Sequence, residues 1–145
     1  MRMSLADLLK NREIEKCAPD AEMARRLLAS AKTGLGAAED NLLIKLPEVA
    51  LTLAYQSMLN AGRALMAHMG YRAFSQNHHK GVVNFCAEVL PTASSTLTRA
   101  FNRYRVRRHD IVYGEVEENS VGADEAKEAI AQARELVGIV EKKMK

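Results

Sequence analysis

Apolar positions recur along most of the chain every three or four residues, the spacing that puts side chains on one face of an α-helix. Strict alternation of apolar and polar residues is scarce, and strong helix formers dominate. The pattern predicts six helical segments, at residues 5–15, 19–43, 47–69, 79–90, 94 or 95–113, and 124–143. Their short connections favour antiparallel neighbours. We therefore expect an all-α fold, an antiparallel bundle of four to five helices preceded by the short N-terminal helix.

The third segment is unusually apolar, and its apolar side chains spread around more than one stripe. A helix with this pattern is contacted on several sides. We therefore expect residues 47–69 to lie at the centre of the bundle. Gly70 follows directly and predicts a left-handed residue that ends the helix.

Length and composition favour one soluble globular domain over residues 1–145, with 48% hydrophobic and 27% charged residues. No window of 18 consecutive apolar residues occurs, so we expect no membrane span. The first residues show neither the apolar run nor the cleavage site of a signal peptide. The two cysteines, Cys17 and Cys86, form no CxxC pair and predict a reducing, cytoplasmic setting. Histidine and cysteine lack zinc-site spacing, so we expect neither a metal nor a cofactor.

Positive charge is concentrated in the predicted fifth helix. The net charge is only +3, but five arginines fall within residues 99–108. In a helical projection at about 100° per residue, Arg108 lies near the centre of the apolar stripe. The stripe contains Leu97, Phe101, Tyr104, Ile111 and Val112; Arg99, Arg103 and Arg107 lie opposite with Asp110; and Arg105, His109 and Tyr113 form a flanking row.

An inward Arg108 needs a partner, because an unpaired buried guanidinium is very unfavourable and arginine does not lose its proton. One interpretation is a carboxylate or carbonyl partner inside the bundle, and a structural ion pair is the commoner answer in proteins. The other is that the stripe lines a cleft, where the guanidinium fork binds a phosphate. The pattern alone leaves both interpretations open.

Residues 107–114, RRHDIVYG, resemble the signature of the HEPN domain family. In these small all-helical domains an arginine is followed by a polar residue and, about four residues on, by a histidine and often a glycine. Residues 51–72 are similar to the family's central helix, and residues 78–85, HHKGVVNF, to its next helix. Residues 21–39 and 123–137 also fit the family's pattern. The resemblance therefore covers about the whole chain.

The resemblance places Arg108 at the family's arginine and His109 at the polar position, while Tyr113 stands where histidine is expected. Branches of the family carry tyrosine there, and this chain resembles them. Active members are metal-independent ribonucleases whose histidine and arginine assist attack of an RNA 2′-hydroxyl on the adjacent phosphate. Tyrosine, with a pKa near 10, is a poor base at neutral pH. The resemblance implies that Arg108, His109 and Tyr113 are the catalytic residues of an endoribonuclease with a degenerate motif.

The resemblance also implies partners. Many small prokaryotic members pair with a minimal nucleotidyltransferase as toxin and antitoxin, and members commonly form homodimers whose motif clefts face each other. In some pairs the partner adds AMP to a tyrosine near the motif, and Tyr113 is the nearest candidate in this chain. The implied ligand is a nucleotide or RNA.

Three further residues complete the candidate phosphate site around Arg108. Arg105 flanks it on the fifth helix. His79, next to His78, either forms a second wall of the cleft or is a partly exposed histidine at a helix start. Arg63 either faces the same cleft or pairs with an acid. Three functions stay open: an RNA endonuclease, a non-catalytic module that serves a nucleotidyltransferase, and a purely structural dimer.

Overall fold

The computed structural model of the chain describes residues 4–74, 78–114 and 120–145. Two short strands in this part, β1 (Ile14–Lys16) and β2 (Tyr71–Ala73), form an antiparallel pair. The rest of the fold is helical, and the prediction of an all-α helical bundle is confirmed. None of the described helices combines the length and the apolar character needed to cross a membrane. The helices are α1 (Leu5–Lys10), α2 (Ala21–Leu43), α3 (Pro47–Met69), α4 (His78–Val89), α5 (Ser95–Val112) and α6 (Ala123–Lys143).

Local chemistry sets several of the helix ends. At the start of α1, the hydroxyl of Ser4 accepts the N–H of Asp7, whose carboxylate accepts the N–H of Ser4, both at 3.1 Å. At the start of α2, the Asp20 carboxylate accepts the N–H of Met23 at 2.9 Å. Gly70, with a φ of 90°, ends α3 as predicted. Because such signals are local, the predicted bounds of α2 to α6 agree with the structure to within about two residues.

The prediction that the first helix continues to residue 15 is wrong. Helix α1 ends at Lys10, Arg12 has a positive φ of 57°, and the chain then enters β1. Glu15 of β1 lies opposite Arg72 of β2, and their side chains form an ion pair. These two residues are 57 positions apart in the sequence. The strand therefore depends on a distant partner, which a local periodicity cannot reveal.

Helix α3 lies at the centre of the bundle, in contact with α2, α4, α5 and α6, as its apolar pattern predicts. Gly62 allows α4 and α5 to approach it closely. A Cβ at this position would lie 2.5 Å from a methyl of Val82, 3.0 Å from the sulfur of Cys86 and 3.6 Å from the ring of Phe101. The missing side chain therefore sets the distance at which the other two helices pack on α3.

Replacing Gly81 with alanine should lower the free energy of unfolding by about 1–3 kcal/mol, the usual range for overpacking. The new Cβ would lie 2.3 Å from the carbonyl oxygen of Glu13, which is backbone and cannot rotate away. The same oxygen accepts the N–H of Phe74 at 3.2 Å. Urea denaturation followed by circular dichroism measures the loss.

Gly36→Ala is the matched control, because nothing lies within 4 Å of a Cβ at this exposed position of α2. It should stabilise the protein by about 0.5–1 kcal/mol, since alanine has the higher helix propensity. Equal effects of the two substitutions would contradict the close packing of α4 against the segment before β1.

Candidate functional site

One face of α5 contacts α6. Arg107 donates to the carboxylate of Glu125 from Nε at 2.9 Å and from Nη2 at 3.0 Å. The same Nη2 donates to the Ser120 carbonyl oxygen at 3.0 Å. The hydroxyl of Tyr104 donates to Oε1 of Gln132, also on α6, at 2.7 Å. The charge of Arg107 is therefore neutralised within the fold by the carboxylate of Glu125.

A different face of α5 runs from Phe101 to Arg105 and Arg108. Phe101 is fully buried, and its ring centroid lies 5.8 Å from that of Tyr55 on α3. Arg105 and Arg108 follow four and seven residues later, so the helical repeat puts them on the same side as Phe101. Both arginines are half-buried. The aromatic anchor thus holds the two guanidinium groups at the edge of the core.

Tyr55 connects this face of α5 with the start of α4. Its side chain is fully buried, and its hydroxyl lies 2.8 Å from Nδ1 of His79. Burial raises the pKa of the Tyr55 hydroxyl, against the opposing charges of Arg105 and Arg108, so the hydroxyl keeps its proton. A buried hydroxyl needs an acceptor for that proton, and Nδ1 is in position to accept it. We therefore assign His79 as a neutral ring with its proton on Nε2, away from Tyr55.

Positive groups from three helices act together on His79. Burial is the largest cause that lowers the pKa of His79, and the charges of His78, Arg108, Arg105 and Arg63 lower it further. The other three residues assigned to phosphate binding from the sequence thus all act on His79. They belong to what we call the Arg108 cluster, which consists of Tyr55, Arg63, His79, Arg105 and Arg108.

Within residues 4–74, 78–114 and 120–145, no carboxylate forms an ion pair with an arginine of the Arg108 cluster. Arg105 donates from Nε to the neutral amide oxygen of Asn102 at 3.0 Å, so within the described residues no carboxylate neutralises its charge. Several unneutralised guanidinium groups attract an anion, and a phosphate matches their donor geometry. In the same part of the chain, no group of three His, Cys, Asp or Glu side chains could hold a metal ion.

His109 and Tyr113 contact each other at the end of α5. Their ring centroids are 4.6 Å apart, and Nδ1 of His109 lies 3.8 Å from a carboxylate oxygen of Asp110. Tyr113 is 66% exposed. In the described contacts these two side chains pair with each other, whereas the charge of Arg108 acts on His79 and Tyr55.

The structure adds one residue that the sequence did not assign to the site. Tyr55 is fully buried in the central helix, and its hydroxyl lies within hydrogen-bonding distance of His79. Its partner His79 lies 24 residues away on another helix, so the contact has no signal in the local pattern. A tyrosine within an otherwise apolar central helix is the available hint, because its hydroxyl needs a polar partner.

Replacing Tyr55 with phenylalanine should raise the pKa of His79, because the lost hydrogen bond stabilises the neutral ring. In the folded protein this pKa is lowered from 6.5, so the unfolded chain binds more protons between the two values. The stability that depends on neutral His79 is complete above about pH 6.5. It is lost as the pH falls from 6.5 through the folded-state pKa of His79. Because the substitution raises that folded-state pKa, the pH range over which stability is lost should become narrower. An NMR titration of the His79 ring protons measures the change.

Tyr104→Phe is the control for this titration, since the Tyr104 hydroxyl donates to α6 and does not contact His79. The pKa of His79 should not change in this variant. An unchanged pKa in Tyr55→Phe as well would rule out the assigned hydrogen bond.

Comparison with known protein families gives a match over most of the chain. The model of the HEPN domain family matches residues 24–143, which include α3, α4, α5 and α6 and nearly all of α2. No curated protein and no solved structure matches the chain.

Proposed function

The chain belongs to the HEPN domain family, and from this premise we propose that it binds a phosphate of RNA or of a nucleotide at the Arg108 cluster. One observation carries the proposal. Arg108 lies on the inward Phe101 face of α5, acts on His79, and has no carboxylate partner in the described part of the chain. The paired arginine of this helix is its neighbour Arg107.

The cluster suits metal-independent cleavage of RNA. In this reaction the 2′-oxygen bonds to the adjacent phosphorus and the bond from phosphorus to the 5′-oxygen breaks. The proton of the 2′-hydroxyl leaves, and the departing 5′-oxygen gains one. Arg108 binds the non-bridging oxygens and stabilises the negative charge that grows on them, with support from Arg105 and Arg63.

His109 supplies the proton transfers, because imidazole suits acid–base chemistry near neutral pH. Tyr55 orients the neutral His79 ring so that its Nε2–H donates a hydrogen bond to the phosphate or a ribose oxygen. His109 follows Arg108 directly and carries a proton from the end of α5, where the ring of Tyr113 supports it. Tyr113 itself donates a hydrogen bond rather than acting as the base.

Incubation of the purified full chain with end-labelled RNA in the presence of EDTA tests this proposal. We expect cleavage products that end in a 2′,3′-cyclic phosphate. The same RNA with 2′-O-methyl groups throughout should bind with similar affinity and remain intact, because its attacking hydroxyls are blocked. Absence of both binding and cleavage would overturn the proposal.

A second candidate is a non-catalytic homodimeric module that serves a minimal nucleotidyltransferase in a toxin–antitoxin pair. Exposed apolar side chains favour it. The charge of Glu48 at the start of α3, next to the α2–α3 turn, acts on Arg107 near the end of α5. Large exposed apolar residues occur in both places: Leu43, Ile44, Leu46, Val49, Val106, Val112 and Tyr113.

RNA binding without cleavage would favour this second candidate over the nuclease. Light scattering then shows whether the chain is a dimer, and incubation with a minimal nucleotidyltransferase and ATP shows whether the two proteins interact. The exposed hydroxyl of Tyr113 is the proposed acceptor of AMP. A mass increase that Tyr113→Phe abolishes would identify it as that acceptor.

A further inference from the structure

A cavity of about 270 Å³ lies between α2, α3, β2 and the start of α4. Met23 and Leu27 line it from α2, and Met66 and Ala67 line it from α3. Methionine side chains adapt to ligands of different shape because they are flexible and polarisable. The cavity is slightly smaller than the usual range for drug-sized ligands, so it suits a single small ligand.

The wall of this cavity carries positive charge. Arg63 supplies this charge, which adds to burial in lowering the pKa of His78, another residue of the wall. Arg72 also lines the cavity but forms an ion pair with Glu15. Among the described residues Arg63 has no carboxylate partner, so it is the guanidinium left to bind an anion.

Tyr71 adds an aromatic wall. Its ring lies 5.4 Å from that of Phe85, centroid to centroid, and this contact fixes its position beside the cavity. Aromatic and guanidinium planes are the surfaces on which nucleobases stack. An apolar cavity with one aromatic wall and one unpaired arginine therefore fits a planar base that carries a phosphate.

The cavity adjoins the Arg108 cluster. His78 lines the cavity, and its ring centroid lies 5.3 Å from that of His79, which belongs to the cluster. Arg63 lines the cavity and also acts on His79. A second hollow of about 210 Å³ shares Met23, Leu27 and Arg63 and extends along α2 to Arg26. Positively charged side chains thus extend from the Arg108 cluster, past the cavity, to Arg26 on α2.

We propose that this cavity, the Arg63 cavity, binds one nucleobase with its phosphate on Arg63, either as a free nucleoside monophosphate or as the RNA nucleotide next to the one held at Arg108. The RNA form of this inference rests on the proposed function. In that form the Arg108 cluster holds the phosphate that reacts, and the Arg63 cavity selects the neighbouring base.

Calorimetric titration of the full chain with 5′-AMP, adenosine, inorganic phosphate and a five-nucleotide RNA in EDTA tests the proposal. AMP should bind more tightly than adenosine or phosphate, because it has both the base and the anion. Ala67→Leu, which fills the cavity, and Arg63→Gln, which removes the charge, should each weaken AMP binding about tenfold or more. Ala29→Leu, on the exposed side of α2, is the control and should bind as the wild type.

Arg108→Ala distinguishes binding at the Arg63 cavity from binding at the Arg108 cluster. It should leave AMP binding within about twofold of the wild type while it weakens RNA binding. If the wild type binds the RNA but not AMP, and Ala67→Leu still weakens the RNA, the cavity accepts the nucleotide as part of a chain. Should Ala67→Leu fail to fold by circular dichroism, Met23→Trp replaces it, because Met23 lies at the rim and is 43% exposed.

Two outcomes would overturn the inference. If Ala67→Leu leaves both AMP and RNA binding unchanged and Arg63→Gln leaves AMP binding unchanged, the cavity holds no nucleotide, and the function of the Arg108 cluster is unaffected. If Arg108→Ala abolishes AMP binding, the nucleotide lies at the cluster instead. Conversely, loss of AMP binding in Ala67→Leu together with unchanged RNA binding and cleavage in Arg108→Ala would keep the cavity and overturn the proposed function.

Discussion

Replacing Arg108 with alanine should lower the rate constant of RNA cleavage in EDTA about 100- to 1,000-fold, the usual effect of removing one preorganised donor to a developing oxyanion. Arg108 holds a permanent charge beside His79, with no carboxylate partner in the described structure to share it. The substitution therefore removes stabilisation from the transition state, in which the phosphate gains negative charge. Single-turnover cleavage of end-labelled RNA measures the change.

Arg99→Ala is the matched control, because Arg99 is an exposed arginine of the same helix near the opposite end. This variant should cleave within about twofold of the wild type, which separates a specific role of Arg108 from the general charge of α5. Arg108→Lys should recover part of the activity, since lysine keeps the charge but lacks the planar fork. Equal rates for Arg108→Ala and Arg99→Ala would contradict the role given to Arg108.

Replacing Phe101 with alanine should lower the free energy of unfolding by about 3–5 kcal/mol. Phe101 is fully buried, packs on the ring of Tyr55 and lies next to Gly62, where the central helix has no side chain. Removing the ring therefore leaves a cavity between α3 and α5 that neighbouring atoms cannot fill. A domain of this size is stable by about 5–15 kcal/mol in all, so one substitution removes a large share. Urea denaturation at pH 7.5 measures it.

Phe101→Leu serves as the control for this loss. It keeps most of the buried apolar volume and should cost well under half as much as the alanine variant. The same ring holds Arg105 and Arg108 at the edge of the core, so RNA binding should weaken together with stability in Phe101→Ala. A loss below about 1 kcal/mol would mean that α5 does not pack on Tyr55.

The sequence predicts the helices well because their signals are local. The spacing of apolar residues, the carboxylate of Asp20 and the glycine at position 70 each act within one or two turns of the chain. The central position of α3 follows from the same pattern, since apolar residues on several sides require several neighbours. The strand β1 is not predictable in this way, because its pairing partner is remote in the sequence.

The site is partly predictable. The helical projection distinguishes Arg108 from Arg107, but it places Arg107 on the side away from the buried stripe. In the structure Arg107 forms the ion pair with Glu125, because α5 has a second packed face toward α6. A projection describes one helix and cannot show how many neighbours it has.

Sequence by itself determined the family, the helices and the residues that bear charge on α5, because these depend on residue identity and on spacing along one helix. Only the tertiary structure decided that Arg107 is paired, that Tyr55 orients His79, and that Arg63 lines a cavity beside them. The physical reason is that a side chain's charge and hydrogen bonds are satisfied by whatever the packing of several helices brings within a few ångströms, and packing joins residues that are far apart in the chain.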